Sequence, residues 1–464
     1  MNDINTADMN NTIRQLTDEL GPDAVLTGPD ISGKYHADGS GETAHAPAAV
    51  VRPASTGQVS GVMRICSSNN RKIVVQGGLT GLCGGATPRE DEVALSLERL
   101  TGIEELDRDS MTMTVLAGTP LQTIQDAADD AGLLFPLDLG ARGSCNIGGN
   151  ISTNAGGNEV IRYGMTRNLI LGLEVVLADG TVITSLNKML KNNAGYDLKH
   201  LFIGTEGTLG IVTRAVLRLF ARPESRNTAL VALQSFDEVV RFLHFMSREF
   251  SGSLSSFEVM WDSYYEYIIR HVPTVSSPFD DRYSIYVLTE ISDKSNQNGL
   301  EDALAGELEA GRILDAVICQ SERERQSVWA IRDGVGDAMA VISDNANFDV
   351  SVPINRMADF LAQLEPEIKG LLPDTSLLVF GHIGDGNLHL VFTVNRKEDK
   401  KTVYDVVYRR VGAYNGSVSA EHGIGMQKRA YLHQSRSNEE IALMKLLKQT
   451  MDPNGILNPG RVLG

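Results

Sequence analysis

Three histidines and one glutamate lie in two glycine-rich loops near the end of the chain. The first loop reads GHIGDGNLHL and carries His382 and His389, and the second reads SVSAEHGIG and places Glu421 beside His422. The whole sequence has only nine histidines, so their concentration here indicates chemistry. Two imidazoles and a carboxylate can bind a divalent metal and leave coordination positions open, as a catalytic site requires. The alternative is that each histidine is a hydrogen-bonded polar residue at a turn.

The length and composition predict an ordinary globular protein of more than one domain. With 464 residues, the chain is long enough for two or three domains and a large core. Apolar residues make up 42% and charged residues 22%, which is typical of globular proteins. The 45 glycines indicate many tight turns or close approaches of the backbone.

The charge and the cysteines restrict the class of partner and the compartment. A net charge of −17 argues against binding to nucleic acid or to an anionic membrane through general electrostatics. The four cysteines show no CxxC spacing, which favours reduced thiols and a cytoplasmic protein. The N-terminal stretch MNDINTADMNNTIRQL has no signal-peptide pattern, and no segment has the roughly 18 apolar residues of a membrane span.

Three stretches of small residues predict a binding site for an extended ligand. A β-α-β pattern, with its helix capped near Ser55 or Thr56, leads directly into QGGLTGLCGGATP. Such a glycine-rich loop can point successive N–H groups at a phosphate, or it can be a mobile surface loop. Two more stretches, PLDLGARGSCNIGGNISTNAGG and GYDLKHLFIGTEGTLGIVT, follow at 136–157 and 195–213. No GxGxxG opens a helix, so we expect a dinucleotide bound in a fold other than the Rossmann fold.

The same stretches carry a family resemblance. Together with LGLEVVLADGT, SAEHGIG, GHIGDGNLHL and DPNGILNPGR, they occur in the order seen in FAD-dependent D-2-hydroxy acid dehydrogenases of the vanillyl-alcohol-oxidase type. The resemblance covers residues 45–464. Within this group the chain looks most like D-2-hydroxyglutarate dehydrogenases, with D-lactate dehydrogenases and glycolate oxidase subunits as close relatives.

The resemblance implies an α+β architecture in three parts. Residues 1–222 form a two-subdomain FAD-binding domain, residues 223–424 form an α+β substrate or cap domain, and residues 425–464 return to the FAD-binding domain. The stretch LRLFARPESRN, with Pro223, has the composition of a linker at the first boundary.

The resemblance also assigns FAD contacts to the small-residue stretches, with no covalent attachment expected at Cys83. The predicted FAD contacts are Gln76, Gly77, Gly78, Leu79, Thr80, Gly81, Leu82, Pro136, Asp138, Gly143, Ser144, Gly148, Gly149, Ser152, Thr153, Ala155, Gly156, Gly157, Glu206, Gly207, Gly210 and Ile211.

For the chemistry, the resemblance implies a metal, a base and an anion-binding arginine. Its divalent metal, zinc or manganese, has the ligands His382, His389 and Glu421. His422 is the general base, and neighbouring residues of an extended segment point to opposite sides, so Glu421 and His422 can serve different groups. Arg332 binds the substrate carboxylate. The expected reaction moves a hydride from C2 of the hydroxy acid to flavin N5 and yields a 2-oxo acid.

Three positions depart from the 2-hydroxyglutarate pattern. Asn347, predicted to contact substrate, stands where a lysine is expected for a distal carboxylate; Val391 replaces an asparagine, and Gly336 a threonine. D-2-hydroxyglutarate is the first expectation, and D-lactate or another D-2-hydroxy monocarboxylate is the alternative.

Two other classes of function stay open at this point. A metal-dependent hydrolase would use the same histidines and glutamate without flavin and would be colourless. A flavin-bound electron carrier would be yellow but not reduced by hydroxy acids. For the dehydrogenase, the expected electron acceptor is an electron-transfer flavoprotein or a quinone, and a homodimer is left open.

Overall fold

The computed structural model describes residues 2–293, 297–342 and 344–464. They form two compact units: the first unit is Met1–Gly156, Met165–Arg222 and Glu421–Gly464, and the second unit is Gly157–Gly164 and Pro223–Ala420. The sequence places domain boundaries after residues 222 and 424, whereas the compact units change at 222/223 and at 420/421. Among the described residues, no helix is both long and apolar enough to span a bilayer.

The α-helices are α1 (Asn2–Leu20), α2 (Thr56–Ser68), α3 (Leu121–Asp130), α4 (Ile147–Thr153), α5 (Val160–Tyr163), α6 (Thr166–Leu169), α7 (Phe236–Glu249), α8 (Asp262–His271), α9 (Gln297–Glu309), α10 (Glu322–Asp333), α11 (Val335–Val341), α12 (Met357–Leu371), α13 (Asp399–Ala413) and α14 (Asn438–Met451). The strands are β1 (Val25–Leu26), β2 (Ala49–Val51), β3 (Ile73–Gln76), β4 (Val93–Ser96), β5 (Ile103–Asp107), β6 (Thr112–Leu116), β7 (Leu133–Leu134), β8 (Ile170–Val176), β9 (Val182–Ser185), β10 (Ile211–Arg218), β11 (Phe220–Ala221), β12 (Ser225–Leu233), β13 (Leu254–Trp261), β14 (Ile285–Asp293), β15 (Asp315–Ile318), β16 (Asn345–Ser351), β17 (Leu377–Gly381) and β18 (Asn387–Thr393).

The first unit contains two main sheets. The order of the smaller sheet is β1-β2-β4-β3, and β2 and β3 both run parallel to β4. The predicted β-α-β unit is therefore confirmed as β2-α2-β3, and the Ser55 hydroxyl caps α2 by accepting from the Gln58 N–H at 3.2 Å. The larger sheet is antiparallel with the order β5-β6-β10-β8-β9.

The second unit is built on one antiparallel sheet of seven strands, in the order β15-β12-β14-β13-β17-β18-β16. Helices α8 and α10 pack against it through a shared apolar core that includes Tyr264, Ile331 and Phe380. Helix α7 buries residues at helical spacing, among them Val239, Phe242 and Met246. This sheet is the scaffold of the histidine loop, because β17 and β18 flank it.

The short segment Gly157–Gly164 belongs to the second unit because its helix α5 is tied to the central strands. The Arg162 guanidinium donates to the carbonyl of Ser292 at 2.5 Å and to that of Ser253 at 3.4 Å. Ile161 packs at the glycine-rich loop, since a Cβ placed on Gly384 would lie 2.6 Å from its Cδ1 atom.

A buried glutamate also holds this sheet to α10. Glu290 on β14 accepts from Arg325 Nε at 2.8 Å and from the Thr228 hydroxyl at 2.8 Å, and Arg226 Nη1 lies 3.5 Å from it. Burial acts to raise the pKa of Glu290, but Arg325 and Arg226 outweigh it and hold the pKa below its ordinary value.

We expect Glu290→Gln to lower the free energy of unfolding by about 3 kcal/mol at neutral pH, because it leaves Arg325 and Arg226 without the buried counter-charge that they share. Because the pKa of Glu290 is lower in the folded than in the unfolded protein, its charge stabilises the fold at pH values above the ordinary pKa of glutamate. This stabilisation is lost as the pH falls through the folded-state pKa. The difference from wild type should therefore shrink in unfolding curves measured at about pH 3. The exposed pair of Glu365 with Lys369 supplies the control, since Glu365→Gln should change stability by less than about 0.5 kcal/mol. An equal Glu290→Gln effect at both pH values would contradict this interpretation.

Candidate active site

Strand pairing brings two of the predicted metal ligands together in the second unit. His382 directly follows β17, and His389 lies on β18 opposite Phe380. The two imidazole centroids are 5.3 Å apart with their planes at 76°, and each ring offers a nitrogen within 4.8 Å of the other. This separation suits two ligands of one metal ion.

The turn between the histidines depends on glycine at two places. The chain makes a single 3-10 turn at Ile383–Asp385 and leaves it through Gly386, whose φ of +87° favours glycine. A Cβ on Gly381 would lie 2.3 Å from the carbonyl oxygen of Asn387. Only glycine therefore allows β17 and β18 to approach this closely where His382 begins the turn.

A charged residue that the sequence analysis did not identify contacts both His382 and Arg332. Glu258 on β13 is buried and accepts from His382 Nδ1 at 2.6 Å and from Arg332 Nε at 2.7 Å. Arg332 Nη2 lies 3.0 Å from His382 Nε2. Glu258, His382 and Arg332 thus form a closed triangle of contacts, which we call the Glu258 triangle.

Contacts inside the Glu258 triangle outweigh the cost of burial. Burial acts to raise the pKa of Glu258, but the hydrogen bond from His382 and the guanidinium of Arg332 hold it below its ordinary value. Burial likewise acts to lower the pKa of Arg332, and Glu258 more than offsets this and raises it. The guanidinium also lies over the Phe380 ring, 5.2 Å from its centroid. Arg332 is therefore a fixed, fully charged group beside the histidine pair.

Glu421 follows the residue at which the second unit ends. The Ala420 N–H donates to the carbonyl of Asp349 at 3.2 Å, and Asp349 pairs across the sheet with His389. Ser417 and Ser351 form a further bridge between this segment and β16. Ala420, the last residue of the second unit, therefore lies beside β16, the strand that pairs with the His389 strand β18.

In the first unit, the EHGIG loop lies on the predicted FAD-binding stretches. Glu206, whose backbone has a φ of +52°, accepts from the N–H groups of Ile424 and Gly425 at 2.6 and 2.8 Å. The Cys83 thiol contacts the Gly423 carbonyl at 3.3 Å. His422, partly exposed, is the second residue of this loop. The Glu206 side chain, predicted to contact FAD, thus fixes the backbone that follows the predicted base.

The small-residue stretches of the first unit also fit an extended cofactor. A Cβ on Gly78 would lie 2.0 Å from the Ser144 carbonyl oxygen, so two of the stretches touch through their backbones. A Cβ on Gly143 or Gly149 would meet nothing within 4 Å. Gln76 donates to two carbonyls, while its buried Oε1 has no hydrogen-bond partner among the described residues. Open glycine backbone and a free buried acceptor suit a polar ligand laid along these loops.

The predicted distal contact lies on the histidine side of the sheet. Asn347 on β16 pairs directly with Val391. This pair lies two residues along the strands from the pair of Asp349 with His389, so both pairs are on the same face of the sheet. Its Nδ2 donates to the Asn345 side chain at 3.0 Å, and the residue is exposed. Neither Asn347 nor Val391 carries a charge for a second carboxylate.

If the predicted metal is held by His382 and His389, Gly381→Ala should weaken its binding, because the new methyl group must push Asn387 and the β18 backbone away from His382. Zinc titration of metal-stripped protein should show affinity reduced by at least about tenfold. Gly370→Ala is the matched control, since a Cβ there meets nothing within 4 Å near the end of α12, and alanine favours the helix. Unchanged zinc affinity in folded Gly381→Ala protein would show that the close approach of the strands does not matter.

Comparisons with known proteins agree with this architecture. Residues 222–462 match the family model for the C-terminal domain of FAD linked oxidases, and residues 47–185 match an FAD binding domain. The D-2-hydroxyglutarate dehydrogenase of Xanthomonas citri pv. viticola is 40% identical over 425 residues, which are 90% of this chain and 89% of that protein. The enzyme of the same name from Stutzerimonas stutzeri is 37% identical over 460 residues, 97% of this chain and 98% of its own.

Solved structures with low sequence identity share the fold. A p-cresol methylhydroxylase with substrate bound superposes with a TM-score of 0.80 at 16% identity, covering 98% of this chain and 97% of that one. An alkyldihydroxyacetonephosphate synthase superposes with a TM-score of 0.74 at 16% identity, covering 97% and 84%. The predicted vanillyl-alcohol-oxidase-type fold is confirmed. The chain belongs to the FAD-linked oxidase family that includes the D-2-hydroxyglutarate dehydrogenases, and FAD is its cofactor.

Proposed function

We propose that this FAD-linked oxidoreductase oxidises D-2-hydroxyglutarate to 2-oxoglutarate with the help of a divalent metal. The observation that carries the proposal is the pair His382 and His389 with the buried cation Arg332 beside it. A 2-hydroxy acid presents a hydroxyl and a carboxylate on neighbouring carbons, and this arrangement offers two imidazoles that can hold a metal beside a guanidinium that can bind a carboxylate. The names of the relatives support the choice of substrate.

We assign the metal to His382, His389 and Glu421, with zinc as the first choice and manganese as the second. Two imidazoles and a carboxylate suit either ion and leave positions open for substrate. When bound, the metal polarises the substrate hydroxyl and the flavin accepts the hydride from C2.

The remaining steps belong to side chains of this chain. Arg332 holds the C1 carboxylate through its guanidinium. His422 takes the proton of the C2 hydroxyl, because a neutral imidazole is a suitable base near neutral pH. The Ile424 and Gly425 N–H groups donate hydrogen bonds to Glu206 and fix the loop. The backbone that carries the imidazole is therefore restrained. Asn347 meets the far end of the substrate.

The uncharged pair of Asn347 and Val391 favours a second candidate substrate. A distal carboxylate needs a cation or several donors, whereas these residues supply one amide and one apolar side chain. D-Lactate or another D-2-hydroxy monocarboxylate would be accommodated without that cation. A flavin-free hydrolase is disfavoured by the match to the FAD-binding family.

Two further assignments complete the proposal. An electron-transfer flavoprotein or a quinone reoxidises the flavin, and the protein works in the cytoplasm; a homodimer stays an open alternative to a monomer. The two assignments follow the resemblance and the free cysteines.

Anaerobic flavin bleaching tests the proposal. D-2-Hydroxyglutarate should bleach the flavin of the metal-loaded protein, chelation should abolish this, and the order of rates among D-2-hydroxyglutarate, D-lactate and D-malate should rank the substrates. A yellow, metal-loaded protein that none of these acids bleaches would contradict the proposed function.

His422→Ala tests the base. It should slow bleaching by about 10²- to 10⁴-fold and leave the flavin and metal content unchanged, because His422 is assigned to the substrate alone. His433→Ala is the control, since His433 is an exposed histidine of the same C-terminal segment. A near wild-type rate in His422→Ala would rule out the assigned base.

A further inference from the structure

We propose that Glu258 is the positioning residue of the metal site. Its single carboxylate sets the tautomer of His382 and the orientation of Arg332, so that His382 Nε2 is the nitrogen offered to the metal. This inference rests on the proposed function, since it concerns the same site. It assigns a role to a residue that lies far from both histidines in the sequence.

Contacts of His382 with Glu258 and Arg332 indicate where its proton lies. A carboxylate only accepts hydrogen bonds and a guanidinium only donates them. Nδ1 lies 2.6 Å from Glu258 Oε1 and must carry the hydrogen, whereas Nε2 lies 3.0 Å from Arg332 Nη2 and must present its lone pair. His382 is therefore held as a neutral imidazole with Nε2 free of hydrogen, which is the form that binds a metal.

The sheet brings Glu258 to this position. Val259 pairs with Gly381 and Met260 with Phe380 across β13 and β17, so His382, one residue beyond Gly381, comes level with Glu258. The β13 backbone is central in the sheet, between β14 and β17. Glu258 pairs with Leu288 of β14, and the next two residues of its strand pair with β17. The strand that carries Glu258 is thus paired on both sides, and a rigid support is what a positioning residue needs.

Arg332 links the metal position to the carboxylate of the substrate. Its Nε is bonded to Glu258, while its Nη2 uses the same Nε2 lone pair that a metal would take. A metal bound at Nε2 would take that lone pair in place of Nη2, while the bond from Nε would keep the guanidinium on Glu258. Nη2 would then be available to donate to a substrate carboxylate. Metal binding and carboxylate binding should therefore favour one another.

Glu258→Gln removes the dual acceptor without changing the size of the side chain. An amide oxygen can accept from His382 or from Arg332, but the amide NH₂ on the other side is a donor and opposes the second contact. We expect zinc to bind the FAD-loaded, metal-stripped variant about 10- to 100-fold more weakly than it binds wild type. The affinity should recover partly in Glu258→Asp, which keeps two accepting oxygens.

Glu290→Gln is the matched control. Glu290 is equally buried on the neighbouring strand β14 and is also paired with an arginine, Arg325. Among the described residues its side chain contacts Thr228, Arg226, Arg325 and Trp329 rather than the histidine pair. It should lose stability like Glu258→Gln and yet bind zinc as wild type does. Equal zinc affinity of wild type and Glu258→Gln, both folded and FAD-loaded, would overturn the proposal.

A measurement on the wild-type protein keeps the test independent of the stability of the variant. In ¹⁵N-histidine NMR of the metal-free protein, the His382 signals, assigned by their loss in His382→Ala, should show a protonated Nδ1 and an unprotonated Nε2. The opposite tautomer would overturn the assignment. If wild type bound no zinc, the proposed metal function would fail, whereas the tautomer result would still decide the role of Glu258.

Discussion

The buried carboxylate of Glu258 is the interaction on which the arrangement of the candidate site depends. A charge removed from water is costly unless its oxygens are paired, and both oxygens here have a partner: His382 Nδ1 for one and Arg332 Nε for the other. Because the two partners donate to the same group, they cannot move independently. The orientation of the imidazole is therefore coupled to that of the guanidinium through the Glu258 carboxylate.

The register of the strands brings the other side chains of the site to this pairing. Register between β13 and β17 sets Glu258 against His382, and register between β17 and β18 sets Phe380 against His389. The Phe380 ring lies under both the Arg332 guanidinium and the His389 imidazole, with centroid distances of 5.2 and 4.9 Å. A slip of one residue in either pairing would turn these side chains to the other face of the sheet. Gly381 permits the pairing because no side chain fits between it and Asn387.

The sequence predicts the parts of the site that lie in motifs and misses the parts created by tertiary contact. The histidines, Glu421 and His422 stand in glycine-rich loops that are recognisable by type and spacing, and the small-residue stretches predict the FAD-binding family. Glu258 has no such pattern, since it lies inside the apolar strand LSSFEVMW, more than a hundred residues before His382. Its role arises only when β13 pairs with β17. A single charged residue within an apolar strand was the one available indication, because such a residue must find a partner.

Glu206 is a second residue whose observed contacts the sequence did not predict, although the sequence did select it as a site residue. The resemblance assigns it to FAD, and it does lie within a small-residue stretch of the first unit. Its carboxylate, however, accepts from the backbone of Ile424 and Gly425, a contact between segments more than two hundred residues apart that no local pattern can predict. The segment Gly157–Gly164 is similar, because the contacts of Arg162 and not its local sequence place it in the second unit.

The most direct test of the central claim is anomalous diffraction from crystals of the FAD-loaded protein soaked with zinc. We predict a peak about 2.0–2.1 Å from His382 Nε2, with His389 as a second ligand, Nδ1 still bonded to Glu258, and Arg332 Nη2 moved away from the imidazole. Zinc bound at His382 Nδ1, or an Arg332 Nη2 still bonded to Nε2 in the zinc-loaded crystal, would contradict it.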